Sequence, residues 1–156
     1  MNTPQKVIIA VIGTQLVGVV SGLLTSQSIT LWYAFLEKPP FNPPNWLFAP
    51  VWTMLYALMG ISFALIWSGS TKTKQRSRAK ELFYAQLILN YCWSFFVFGF
   101  RSPLLGLVII LLLWWMIILT IRAFYPLSKA ASYLLIPYLL WVSFATVLNA
   151  AIFVLN

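Results

Sequence analysis

Apolar residues run along this chain in long unbroken blocks, and the charged positions that interrupt them are few. Twelve charged side chains leave five charge-free runs, at 7–36, 39–71, 82–100, 102–121 and 130–156. A helix needs ~20 predominantly apolar residues to cross ~30 Å of hydrocarbon, and each run is of about that length or longer. The blocks are continuous rather than alternating, and rich in Leu, Ala and Ile, which selects helices over a β-barrel. The pattern predicts an all-α integral membrane protein, a bundle of five transmembrane helices at roughly 6–26, 46–68, 80–100, 104–124 and 131–154. The first block follows only Lys6 and has no small-residue cleavage site ahead of Trp32 and Tyr33. It reads as a retained span rather than a secretory signal. Residues 1–156 then form a single five-helix transmembrane domain, with 27–45 as its long first loop.

Composition strengthens this picture and removes most chemistry. The chain is 62% apolar, 17% aromatic and only 8% charged, whereas a soluble domain carries about a quarter charged residues. It has no histidine and no aspartate, and its two carboxylates are Glu37 and Glu81. A Ser–His–Asp triad, a paired-carboxylate glycosidase and a His/carboxylate metal site are therefore excluded. Cys92 is the single cysteine, so no internal disulfide or thiolate cluster can form. No cofactor is expected.

The net charge of +8 is a matter of topology. With the N-terminus inside, that side holds Lys6, the five basic residues of 72–80, Arg122 and Lys129, against Lys38 and Arg101 on the other. This asymmetry predicts N-in and C-out. It assigns the basic run to orientation and lipid headgroups rather than to nucleic acid.

The first loop and the deep aromatics carry the candidate chemistry. Residues 39–44 contain four prolines, which cannot continue a helix and favour stiff extended or turn geometry. The loop reads as a lid or rim of a binding site, or as an aromatic interfacial anchor. Trp32, Trp46 and Trp67 lie near span ends, where belts of tryptophan are ordinary. Trp93, Trp114, Trp115 and Trp141 lie deeper, and a buried indole N–H needs a partner or a cavity. Helical spacing groups them: Trp52 with Tyr56; Gln86, Asn90, Trp93 and Val97; and Trp141, Ala145 and Asn149. Asn90 and Asn149 should face the bundle interior, as interhelical glue or as ligand contacts. Together these stripes describe an aromatic-walled, uncharged cavity suited to a flat, apolar ligand. Pro137 predicts a kink that frees the carbonyl of Tyr133. Gly18 and Gly22 form a GxxxG, read either as an oligomer contact or as packing within one chain.

At this point the residues resemble a known family. Trp32-Tyr33, Lys38-Pro39, Asn42-Pro43-Pro44, Pro50-Val51-Trp52, Leu55-Tyr56 and Met59-Gly60 are similar to the first loop and second helix of the translocator protein family, also called the tryptophan-rich sensory proteins. Leu89-Asn90, Trp93-Ser94 and Phe98-Gly99 resemble its third helix, and Leu134 to Val142 with Phe144-Ala145-Thr146 and Leu148-Asn149 its fifth. The resemblance implies five helices, a homodimer and a pocket beneath the first loop. It implies ligands such as protoporphyrin IX and other porphyrins, sterols, isoquinoline carboxamides and benzodiazepines. Carried over at matching positions, Tyr33, Pro43, Pro44, Trp52, Asn90, Trp141, Ala145 and Leu148 contact ligand. Trp52 and Trp141 match the tryptophans implicated in light-dependent porphyrin breakdown. The mitochondrial members' proposed cholesterol motif is absent: Ala150 stands where its Tyr would be, and no basic residue follows. A bacterial inner or plasma membrane is the expected location.

Three functions follow as expectations. The first is a membrane receptor or transporter for porphyrins and related flat ligands, held by the residues above together with Tyr56, Trp93 and Asn149. The second is an enzyme that degrades a bound porphyrin with light and oxygen through Trp52 and Trp141. The ligand supplies the photochemistry there, which suits a chain lacking general acids and bases. The third is a scaffold whose aromatic interior is merely packed.

Overall fold

The computed structural model describes residues 1–70 and 73–156; Lys72, one of the basic residues assigned to topology, lies outside them. All regular structure among the described residues is helical. Helix α1 spans Thr3–Leu31, α2 Asn45–Trp67, α3 Lys74–Ser94, α4 Pro103–Phe124, α5 Lys129–Leu134 and α6 Ile136–Leu155. Among the described residues, five segments are long and apolar enough to cross a membrane, the last being α5 and α6 taken together. Their outer faces are apolar too: Ile8, Ile12, Leu16 and Leu23 of α1 and Val108, Leu111 and Leu112 of α4 are exposed. A helix apolar all round is the signature of a span whose solvent is lipid.

The ends differ from the apolar blocks for local reasons. Helix α1 starts earlier than residue 6 because Asn2 and Gln5 form a reciprocal capping box, each side chain meeting the other's backbone N–H at 3.0 Å. It also runs on to Leu31, well past residue 26, since nothing in Thr25–Thr30 breaks a helix. The described part of the basic run is not a connection: Lys74 to Lys80 form the first two turns of α3, capped by Thr73. Arg76 reaches across and donates to the carbonyl of Ile66 near the end of α2. The last span breaks at Leu135, whose N–H turns back to Ser132, and the regular ladder resumes when Leu139 donates to Leu135. The break sits where Pro137 withholds its N–H, next to the expected kink.

Close approach depends on glycine. A Cβ on Gly60 would stand 2.5 Å from Cα of Val11, so α1 and α2 meet backbone to backbone there. Within the GxxxG, Gly18 is used inside the chain, since a Cβ would strike the Tyr56 ring at 2.5 Å, whereas Gly22 has open space. A Cβ on Gly106 would meet Val97 at 2.1 Å, so α4 lies hard against the turn at Phe95–Gly99 that follows α3. That contact brings Pro103 within reach of α6, where Asn149 donates to its carbonyl at 2.8 Å.

Candidate functional site

Two cavities open between the helices near the first loop, and a pair of indoles stands between them. The inner chamber, about 60 Å³, is walled by Tyr33, Trp52, Trp93, Trp141, Ala145, Leu148 and Asn149, with Trp32, Leu36, Phe48 and Val97. The side cavity, about 410 Å³, lies against α1 and is lined by Gly18, Gly22 and Thr25, with Tyr56, Asn90 and Phe98 opposite. Phe48, Trp52 and Trp93 belong to both walls. Trp52 and Trp93 are stacked, 6.4 Å between centroids and 29° between planes. Drug-sized ligands occupy pockets of about 300–1,000 Å³. The side cavity is in that range and the chamber is not, so the aromatic interior is a partitioned space.

Local structure explains how these side chains converge. On α2, Phe48, Trp52 and Tyr56 follow at i, i+4 and i+8, one above another. On α6, Trp141, Ala145, Leu148 and Asn149 occupy one face turned to the chamber. Helix α3 is continued by a π-helical turn, Phe95–Gly99. Such wider turns change the facing of successive side chains, and here Val97 points into the chamber while Phe98 faces the side cavity.

Several polar groups in this interior are paired across helices, whereas the Ser21 hydroxyl on the side cavity and the buried Gln86 amide have no hydrogen-bond partner among the described residues. The Tyr56 hydroxyl donates to Asn90 Oδ1 at 2.6 Å, and Asn90 Nδ2 donates to the Tyr138 hydroxyl at 2.8 Å. The Trp93 N–H donates to Asn149 Oδ1 at 3.2 Å. Trp114 donates to Ser143 at 2.8 Å, so this deep indole is satisfied by a neighbouring helix rather than by the cavity. Gln86, on the same stripe as Asn90, is buried but lines neither cavity.

The first loop closes one end of the chamber. Trp32, Tyr33 and Leu36 contribute to the wall. Tyr33 is pinned by its hydroxyl donating to Asn42 at 3.3 Å, and the Lys38 ammonium sits 4.8 Å from its ring centroid. Burial raises the Tyr33 phenol above its ordinary value of 10.0, so it stays protonated at any physiological pH. The loop is also tied to the far end of α6. Asn156 accepts from the Glu37 N–H at 3.0 Å and donates to the Glu37 carbonyl at 2.9 Å. Replacing Asn156 with alanine should release this segment: cleavage of 36–41 by added protease in detergent should accelerate several-fold, with helix content unchanged.

Of the residues singled out in the sequence, Tyr33, Trp52, Trp93, Trp141, Ala145, Leu148 and Asn149 meet in the chamber, and Tyr56 and Asn90 lie on the side cavity. Pro43 and Pro44 line neither; they shape the loop, and Asn42 donates to the Pro43 carbonyl at 3.2 Å. Trp32 is more than an interfacial anchor, because the chain folds back after α1 and sets it in the wall. Trp115 is 53% exposed and faces outward, one residue from the paired Trp114. Phe48, four residues before Trp52 on the same stripe, is a further wall residue that the spacing of α2 signals.

Known proteins are similar to this chain over most of its length. The TspO/MBR family model matches residues 10–155. A tryptophan-rich protein TspO of Archaeoglobus fulgidus is 46% identical over 151 residues, covering 97% of each chain. Its counterpart in Chlorobaculum tepidum is 47% identical over 140 residues, covering 90% of this chain and 89% of the relative. The human translocator protein is 40% identical over 119 residues, covering 76% of this chain and 70% of its own. With a match over nearly its full length, five apolar spans and the loop, second, third and last spans meeting around Trp52, Trp93 and Trp141, this integral membrane protein belongs to the TspO/MBR family.

Proposed function

We propose that this protein is a membrane receptor or carrier for flat, ring-rich apolar molecules of the porphyrin class, with isoquinoline carboxamides as synthetic equivalents. The observation that carries the reading is the stacked Trp52–Trp93 pair shared by two cavities whose walls hold no charged side chain. A planar ligand gains stacking from such walls, with the side-chain amides of Gln15, Asn45, Asn90 and Asn149 at their margins. The names of the relatives, translocator protein and tryptophan-rich sensory protein, support a receptor- or transporter-like role. In this reading the first loop is a lid that Asn156 holds shut, the basic end of the bundle faces inward in a bacterial membrane, and the protein is a homodimer.

The chamber is too small to receive a macrocycle unless Trp52 or Trp93 swings toward α1 and joins it to the side cavity. Titration with protoporphyrin IX in darkness tests the reading. Saturable quenching of tryptophan emission supports it, and quenching no greater than that of free indole in the same micelles rejects it. Because Tyr33 is the sole ionisable side chain in the chamber wall and is held protonated, affinity for an uncharged ligand should be flat from about pH 6 to 9. A midpoint in that range, measured with an isoquinoline carboxamide, would contradict the assignment.

A second reading rests on Trp52 and Trp141 lying in one chamber wall. In light a porphyrin excited there passes an electron to dioxygen, and the resulting porphyrin radical cation and superoxide combine, adding both oxygen atoms to the macrocycle so that the ligand is consumed. Trp52 and Trp141 are neighbouring electron donors that share the radical charge in the interval. Illumination after the dark titration separates the two readings. Loss of the porphyrin spectrum faster than in empty micelles marks degradation, and equal rates mark binding alone.

A further inference from the structure

A third cavity lies at the opposite end of the bundle, and it differs in kind from the other two. About 350 Å³ in volume, it is a groove between the first half of α1, the end of α2 and the start of α3. Its walls are Ala10, Gly13, Phe63, Phe83 and Leu87, and its mouth carries Lys80. Trp67, also in the wall, has the Lys6 ammonium 5.7 Å from its ring centroid. From Lys80 to Leu87 the groove follows α3 for two helical turns, about 10 Å at ~1.5 Å per residue, from the basic end toward the bilayer centre.

The charges at the mouth have no local counterpart. Among the described residues Lys6 and Lys80 form no ion pair. Glu81 is the single acid at this end, and it lies 3.6 Å from Arg78. Glu37 is on the first loop, at the other end of the bundle. The site thus has an apolar furrow running into the hydrocarbon and two ammonium groups at the level of the headgroups, flanked by a tryptophan. A porphyrin chamber inverts this plan, with rings deep in the wall and no charge. Basic pockets between transmembrane helices are suited to anionic headgroups, and a lysine stem can lie along the apolar wall while its ammonium meets a phosphate.

We propose that this groove holds one anionic phospholipid, its acyl chain along Phe63, Phe83 and Leu87 and its phosphate met by Lys6 and Lys80. The site is independent of the porphyrin assignment and stands whether or not that assignment holds.

Native mass spectrometry of the full chain tests it, with phosphatidylglycerol and phosphatidylcholine of identical acyl chains supplied in equal amounts. The expected result is retention of one phosphatidylglycerol, favoured about tenfold over phosphatidylcholine. Lys6→Gln with Lys80→Gln should remove that preference. Lys74→Gln with Lys129→Gln, two exposed basic residues at the same end that do not line the groove, should leave it intact. Gly13→Leu fills the groove from a position with open space, and should abolish retention of either lipid with helix content unchanged. Equal retention of the two lipids by the unmodified chain overturns the proposal. So does an equal fall in both lysine double variants, which marks general charge rather than a site. A lipid-free dimer that Gly13→Leu dissociates also overturns it, because a second copy then occupies the groove.

Discussion

Trp52→Leu and Trp141→Leu should each weaken protoporphyrin IX binding about tenfold, and Trp115→Leu should leave it unchanged. The contrast follows from placement: the first two indoles line the chamber, while Trp115 faces outward. Stacking of a ring ligand on an aromatic side chain contributes ~1–3 kcal/mol, so loss of one wall corresponds to roughly a factor of ten in affinity. Trp52 is the more exposed to indirect effects, since its ring also lies 5.6 Å from Tyr56 and 6.4 Å from both Trp93 and Tyr138. Trp141 is held by Phe48 at 6.0 Å and Phe144 at 5.5 Å. The double leucine variant should lose less than the product of the single effects, because both walls act on one ligand. Phenylalanine at the same positions keeps a ring and should restore most of the affinity. In light, the phenylalanine variants separate the two readings again: a carrier keeps its affinity and shows no porphyrin loss at any stage, whereas a degrading protein binds but loses its rate. Dark titration, then illumination, measures both quantities on one sample. Equal affinities for the Trp52, Trp141 and Trp115 variants would remove the chamber from consideration.

The sequence revealed the spans more readily than their ends. Charge scarcity marks where a helix can cross lipid, but a helix ends where its caps are, and Asn2 with Gln5, Thr73 and Ser128 lie outside or at the edge of the apolar blocks. For the same reason Lys74 to Lys80 resemble a polar connection in composition and nonetheless form two turns of α3. Depth plus spacing located Trp93, Trp141, Asn90 and Asn149, because burial of a polar group demands a facing partner wherever the helix lies. It could not separate Trp114 from Trp115: both are equally deep, and only the packing of α4 on α6 decides which one meets Ser143. Trp32 escaped because interfacial position explains any tryptophan near a span end, and the return of the chain after α1 is a tertiary event. Phe48 was legible, one turn before Trp52. Tyr33 and Leu148 carry no spacing signal and came from family resemblance alone, as did Pro43 and Pro44. The partition between chamber and side cavity was not legible at all, since it depends on how α1 stands away from α3.

Asn90→Leu should be the most damaging single change in the interior, lowering stability by ~1–3 kcal/mol and porphyrin affinity together. Asn90 is 2% exposed and joins three helices, accepting from Tyr56 of α2 and donating to Tyr138 of α6. Leucine fills a similar volume but leaves both phenol hydroxyls buried without that partner. Interhelical hydrogen bonds between membrane spans contribute only about 0.6 to 2 kcal/mol each, so the larger part of the loss is the penalty for orphaned hydroxyls. That division has a direct consequence. Adding Tyr56→Phe and Tyr138→Phe to Asn90→Leu removes the orphans, and the triple variant should regain most of the lost stability in a thermal unfolding experiment in detergent. Binding should recover with it, because the Tyr56 ring is wedged between Gly18 and Trp52, and it is the ring rather than the hydroxyl that positions the indole. A triple variant that is stable but does not bind would show instead that the Asn90 amide touches the ligand directly. The side cavity, which Asn90 lines, would then be where the polar edge of the porphyrin rests.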